Sequence, residues 1–151
     1  MARARKEARM DTVAIIVEQN GGVVHQVDPK ASALEAAQRM NEVKIGSLIV
    51  LRDGQLAGIV TERDLLTRVV AVRRDPETTP VQDVMTHDVL TCTPHTSISE
   101  ARRIMRQKRV RHLPVCDDDR IVGMVSIGDL NAFEAERLNL LVTTLEAYIQ
   151  S

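Results

Sequence analysis

Apolar positions along this chain follow two alternating rhythms. Ala33, Ala36 and Met40, and again Ile98, Ala101 and Met105, recur every three to four residues, the spacing of a helix face turned toward a core. Ser32 with Glu35 and Ser97 with Glu100 stand where a capping box would open these helices, each hydroxyl and carboxylate satisfying first-turn amides. The other rhythm is the short unbroken apolar run. "IGSLIVL" and "AGIV" flank Asp53-Gly54, a hairpin-turn signal, and "LPV" and "IVGMV" repeat the arrangement around Asp118 and Asp119. "GGVVHQV", after the turn signal Asn20-Gly21-Gly22, reads as a short strand, with "DVLTC" as its later counterpart. Pro114 cannot donate to a ladder, so its strand is an edge there or ends there. A second helix begins at each of Asp64 and Asp129. The order predicted for each half is strand, helix, strand, strand, helix.

The two halves are copies. Adding 65 to the residue number pairs Pro29 with Pro94, Ser32 with Ser97, Glu35 with Glu100, Met40 with Met105 and Leu48 with Leu113. The register continues without a gap through Gly58 and Gly123 to Asp64 and Asp129. A fixed-period match of this length marks a duplicated supersecondary unit. One such unit of about 60 residues buries only about 60 % of its unfolded surface, so the halves are expected to pack on each other. The polar, proline-bearing stretch 73–80, "RRDPETTP", reads as a surface linker. "VQDVM" then opens the second half, and its partner "TVAIIVEQNGG" sits a few residues farther upstream, as a loop insertion would place it. The expected organisation is a basic tail over 1–10, a first repeat over 11–72, the linker 73–80, a second repeat over 81–133 and a C-terminal extension over 134–151. In that extension Leu130, Phe133, Leu138, Leu141, Leu145 and Tyr148 keep roughly helical spacing. A long amphipathic helix is expected to cover its own domain or, the favoured reading, to pair across a homodimer, since aromatics are enriched at interfaces.

Composition narrows the function classes. Twenty Lys and Arg stand against 21 Asp and Glu in 151 residues, a formal charge of -1 that gives no global bias toward nucleic acid or an anionic membrane. No apolar run approaches the roughly 20 residues that span a bilayer, and "MARARKEARM" lacks the apolar stretch of a secretion signal, so a cytoplasmic protein is expected. Cys92 and Cys116 lie outside any Cys-x-x-Cys spacing and read as thiols. The four histidines lack metal-ligand spacing, no phosphate loop is present, and "GMVSIG" misses the nucleophile-elbow spacing by one residue. No paired base and nucleophile is visible, which disfavours an enzyme. With one Phe and one Tyr the chain cannot build the stacking platforms of single-strand binders. Arg3, Arg5, Lys6 and Arg9 read as a solvated tail, with a DNA-contacting arm as the competing reading.

The candidate chemistry sits in the doubled motif Gly-x-x-Ser/Thr-x-x-Asp. Thr61 and Asp64 in one half, Ser126 and Asp129 in the other, place a hydroxyl at the end of a strand and a carboxylate at the start of a helix. A cis-diol fits such a pair. Ionised Asp only accepts hydrogen bonds, and could take both ribose hydroxyls at roughly 1.5–3 kcal/mol each. The competing reading is that these four residues simply cap their helices.

Two β-α-β-β-α units with this motif, together with "DVMT" at Asp83 to Thr86 and "RHLPV" at Arg111 to Val115, resemble a tandem pair of cystathionine-β-synthase (CBS) domains, the Bateman module. The resemblance implies an α/β (α+β) fold of two repeats packed by pseudo-two-fold symmetry, with the C-terminal helix added. It also implies a regulatory module that binds an adenosine-containing ligand in the inter-repeat clefts without catalysing a reaction, needs no cofactor, and signals to a separate effector protein. AMP, ADP or ATP is the expected ligand, with NAD and S-adenosylmethionine as alternatives. In the family, basic residues before the Leu-Pro-Val strand face phosphates. Arg111 and His112 would then serve the Ser126/Asp129 pocket, whereas the Thr61/Asp64 pocket, whose own half has Gly46 and Ser47, would borrow charge from Arg63. By the same resemblance Thr93 would serve the Asp64 pocket and Asp28 the Asp129 pocket, with Gly128 and Ile98 completing the lining. An empty-cleft scaffold is the competing function.

Overall fold

The computed structural model describes Ala2 and residues 11–150; the rest of the basic tail expected at 1–10, and with it the DNA-arm reading, lies outside the described residues. Helix α1 is Val13–Gln19, strand β1 Gln26–Val27, helix α2 Ala33–Val43, strand β2 Ser47–Arg52 and strand β3 Gln55–Thr61. The short helix α3, Glu62–Leu65, runs on into a π-helical turn over Leu66–Val70. After a 3-10 turn at Val81–Asp83 the second half supplies α4 Ile98–Lys108, β4 His112–Asp117, β5 Arg120–Ser126 and α5 Ile127–Gln150.

The duplication reaches the backbone itself. Helices α2 and α4 both end on a left-handed residue, Lys44 (φ 58°) and Arg109 (φ 54°), and both hairpins carry a bulge, at Val50/Leu51 and Val115/Cys116. Each opening hydroxyl caps as expected, with Ser32 Oγ accepting from the Glu35 amide (3.1 Å) and Ser97 Oγ from that of Glu100 (3.0 Å). The carboxylate arm of the capping box does not form; Glu100 pairs with Arg103 instead.

One strand differs between the copies. In the first half β1 pairs parallel with β2, and the Ile49 amide donates to His25 O (3.0 Å). Pro114 occupies the position of Ile49 in the second half and has no amide to give. The strand expected in "DVLTC" therefore shrinks to a single parallel bridge, Cys92 to Val115, leaving β4 and β5 as a two-stranded sheet.

Each half has its own core, and each core borrows from the other half's lead-in segment. Val13 and Ile16 of α1 pack with Ile98, Ala101, Met105 and Leu113 of the second repeat, tied there by the Val13 amide on Thr96 O (2.8 Å) and the Ile98 amide on Asp11 O (2.9 Å). Reciprocally, Val81, Val84 and Met85 pack with Ala36, Met40, Leu48 and Val60 of the first, with the Val81 amide on Ala31 O (2.8 Å). This exchange accounts for the glycine of the doubled motif. A Cβ on Gly58 would stand 2.6 Å from Met85 Sδ and 2.7 Å from Thr86 O; on Gly123 it would stand 3.0 Å from a Val17 methyl. Both glycines make room for the crossing segment.

Helix α5 is about 36 Å long at 1.5 Å per residue. Leu130 and Phe133 join the second core, whereas Leu138, Leu141, Leu145 and Tyr148 are more than half exposed.

Candidate functional site

Strands β3 and β5 end at the two candidate junctions, and both junctions are reciprocal caps. The Asp64 amide donates to Thr61 Oγ1 (3.2 Å) while Asp64 Oδ2 accepts from the Thr61 amide (3.0 Å). Around Asp129 the same bonds measure 3.1 Å to Ser126 Oγ and 2.8 Å from the Ser126 amide. Capping uses one carboxylate oxygen per aspartate. Asp64 Oδ1 lies 3.9 Å from Arg68 Nη1, and among the described residues Asp129 Oδ1 has no hydrogen-bond partner. The hydroxyls accept from an amide and keep their own hydrogens to donate. Capping and diol binding are thus compatible uses of the same residues.

Two clefts lie over these junctions, and each takes its floor from one repeat and its opposite wall from the other. The cleft over Ser126 and Asp129, about 440 Å³, is walled by His25, Lys44, Gly46 and Ser47. The cleft over Thr61 and Asp64, about 780 Å³, is walled by Arg109 and Arg111, with Arg63 beside the floor on its own repeat. His112 borders both. The expected pairing of Arg111 with the Asp129 pocket is therefore corrected: pseudo-two-fold packing carries the start of β4 across to the other repeat's junction. The cleft expected to be poor in cations is the rich one.

Other expected residues scatter. Arg63 lines the Asp64 cleft as expected. Gly128 is exposed in the first turn of α5 beside Ser126. Asp28 and Thr93 line neither cleft. Each closes a local turn, Asp28 Oδ1 accepting from the Lys30 amide (2.8 Å) and Thr93 Oγ1 from that of His95 (3.3 Å). Ile98 is a core residue, buried with Ala101 and Met105 because the α4 stripe faces inward. Reading by motif missed Lys44 and Arg109. They are 65 residues apart, so the repeat arithmetic itself could have paired them.

Burial is the main cause that lowers the His112 pKa from its ordinary value of 6.5. Glu62, Asp129 and Asp64 pull it upward and Arg111 downward. The neutral imidazole between the clefts offers one donor and one acceptor. Cys92 is a buried free thiol pushed up to about 12 chiefly by desolvation, and Cys116 is also raised by burial. Among the described residues no cluster of three His, Cys, Asp or Glu could hold a metal, and no helix is long and apolar enough to cross a membrane.

Comparison with known proteins gives the arrangement its family. The mitochondrial CBS domain-containing protein CBSX3 of Arabidopsis thaliana is 37 % identical over 121 residues, covering 77 % of this chain but only 59 % of that protein. The crystal structure of the CBS-domain containing protein ATU1752 from Agrobacterium tumefaciens superposes with a TM-score of 0.76 at 34 % identity, covering 80 % of this chain and 97 % of the other. A Pyrobaculum aerophilum CBS domain protein complexed with AMP shares the fold at 24 % identity and a TM-score of 0.65, covering 70 % of this chain and 82 % of its own. The sequence profile of the CBS domain matches residues 22–71 and 81–136, one match per repeat, and the chain belongs to the CBS domain family.

Proposed function

We propose that this chain is a regulatory sensor that binds adenine nucleotide in its inter-repeat clefts. The observation that carries the reading is what each capping pair leaves over at the lining of a cleft: a hydroxyl hydrogen at both junctions, an unpaired carboxylate oxygen on Asp129, and on Asp64 one whose nearest cation is Arg68 at 3.9 Å. Asp64 and Asp129 accept the ribose hydroxyls. Thr61 and Ser126 donate toward phosphate, with Arg63, Arg109 and Arg111 neutralising it in one cleft and Lys44 in the other. Aliphatic side chains such as Ile59 and Leu66 form the adenine walls. The AMP complex of the Pyrobaculum protein supports the choice of an adenosine ligand. Asp28, Thr93 and Ile98 take no direct part in this reading.

The signal passes to a separate effector protein through the packing of the halves, or of two copies. Leu138, Leu141, Leu145 and Tyr148 fall at 3-4-3 spacing on α5, the seam of a two-stranded coil, and support a homodimer.

Thermal unfolding of the full chain against AMP, ADP, ATP, NAD and S-adenosylmethionine tests the reading, with Asp64→Asn and Asp129→Asn beside it. A ligand at 100 times its Kd stabilises by about 2.7 kcal/mol, or about 5–10 °C in Tm. One adenosine compound is expected to give that shift, and one or both variants to lose it. Flat curves for every compound with a nucleotide-free folded chain would instead favour the scaffold. Sedimentation of the same samples reads the assembly, and a monomer would remove the α5 seam.

A further inference from the structure

The Asp64 cleft does not end at its arginines. A second cavity of about 780 Å³ adjoins it, sharing Arg63, Arg109 and Arg111 with it and adding Arg102 and Arg106. Five guanidinium groups line this groove and no carboxylate does. Among the described residues only Arg102 has a carboxylate partner, Glu134 at 3.1 Å. Glu62 and Asp64 line the adjoining cleft, but among the described residues neither forms an ion pair with Arg63, Arg106, Arg109 or Arg111, and four unpaired cations in one recess of a chain with formal charge -1 repel one another and call for an anion.

The duplication supplies an internal control. A groove built from the same positions exists on the first repeat, where Ala37, Asn41, Lys44 and Gly46 stand in place of Arg102, Arg106, Arg109 and Arg111, and Glu62 faces them. The backbone forms that groove with one cation and one acid. Architecture therefore does not require the arginines.

We propose that the Asp64 cleft takes a nucleotide bearing a linear chain of three or more phosphates, with the chain leaving the cleft past Arg111 and lying along the groove toward Arg106. This inference rests on the nucleotide reading above. A single phosphate would end among Arg63, Arg109 and Arg111, whereas Arg106 lines only the groove and can meet only what extends into it. Planar guanidinium groups suit successive phosphate oxygens, which they grip bidentately.

The test is calorimetric titration of the full chain with AMP, ATP and inorganic tripolyphosphate, using Arg106→Ala, Arg106→Lys and, as the mirror control, Asn41→Ala. Arg106 is exposed in the last turn of α4, so Arg106→Ala is expected to fold normally. ATP is expected to bind at least about tenfold tighter than AMP, and Arg106→Ala to weaken ATP about tenfold while leaving AMP unchanged. Arg106→Lys should recover part of the loss, and Asn41→Ala should change nothing. Equal affinity for AMP and ATP, or ATP binding indifferent to Arg106→Ala, overturns the proposal; if AMP still needs Asp64, the nucleotide reading survives that result. Tripolyphosphate binding that needs Arg106, with no nucleotide sensitive to Asp64→Asn, keeps a polyphosphate groove and sinks the nucleotide reading. Tighter, Arg106-dependent binding of a duplex DNA oligonucleotide would assign the groove to nucleic acid and overturn the proposal.

Discussion

At the floor of each cleft a hydroxyl and a carboxylate three residues apart hold each other's backbone amides, at 3.0 and 3.2 Å around Asp64 and 2.8 and 3.1 Å around Asp129. The walls opposite share no such likeness. Arg109 and Arg111 face one floor, Lys44 and Gly46 the other. Helix initiation demands the floor, because the first-turn amides need an acceptor whether or not a ligand comes. The wall obeys only a left-handed turn at the helix end, which constrains the backbone and leaves neighbouring side chains free. Duplicated folds can therefore keep a generic grip on a ribose and vary what they do with its phosphates.

The sharpest way to break the equivalence of the two floors is through the glycines beneath them. At Gly58 an added methyl meets the Thr86 carbonyl, backbone that is itself bonded to Ile59 on both sides; at Gly123 its nearest neighbours are side-chain atoms of Val17, which can give. Gly58→Ala is expected to cost about 3 kcal/mol or more and Gly123→Ala about 1 kcal/mol, the two ends of the usual overpacking range. Differential scanning calorimetry checks this as Tm losses of about 6–12 °C and about 2–4 °C. Equal losses would mean that the two crossing segments are held with equal stiffness.

Much of this was legible in the sequence, and the losses have physical causes. The repeat register, both hairpins, the helices α2 and α4 and the motif floors follow from patterns of a few adjacent residues, which local chemistry decides. Which wall faces which floor depends on how two copies pack, and nothing near Arg111 encodes that it meets Asp64. The reciprocal exchange of α1 and Val81–Met85 was hidden likewise. Its trace was the paired glycines, which the sequence shows without showing what fills the space. The lost strand at "DVLTC" was half visible: Pro114 announced a missing donor, but its absent partner was the outer strand rather than the hairpin.

Exchanging the walls between the two clefts acts at a smaller energy. Arg111→Gly gives the Asp64 cleft the other's residue, and Gly46→Arg with Glu62→Ile gives the Asp129 cleft the cation and removes the carboxylate 3.2 Å from the Gly46 Cβ position. Each change is expected to move phosphate-dependent affinity by about 1.5 kcal/mol, the lower end for a charge-assisted bond, or about tenfold. Titrations with AMP in the Asp129→Asn and Asp64→Asn backgrounds isolate the two clefts. If affinity stayed with the floor in both exchanges, the walls would be bystanders.

The smallest expected effect belongs to His112, the one side chain the clefts share. Its folded pKa lies below 6.5, chiefly because burial disfavours the imidazolium, so the unfolded chain takes up the proton first. Above 6.5 both states are neutral there and the group contributes nothing. As pH falls below 6.5, protonation favours the unfolded chain, and the penalty grows until pH passes the folded value. The wild type should therefore lose more stability than His112→Gln between pH 7 and pH 5, read from urea unfolding midpoints. Bound phosphate reverses the sign, since an anion beside His112 stabilises the charged ring and raises its pKa. Nucleotide binding near pH 6 should then take up protons, measured as a dependence of binding heat on buffer ionisation enthalpy, and His112→Gln should abolish it. Arg111 opposes that charge, while Glu62 and Asp64 support it from one cleft and Asp129 from the other, so uptake that survives in Asp64→Asn and shrinks in Asp129→Asn would place that phosphate in the Asp129 cleft. The opposite pattern would place the phosphate that His112 senses in the Asp64 cleft.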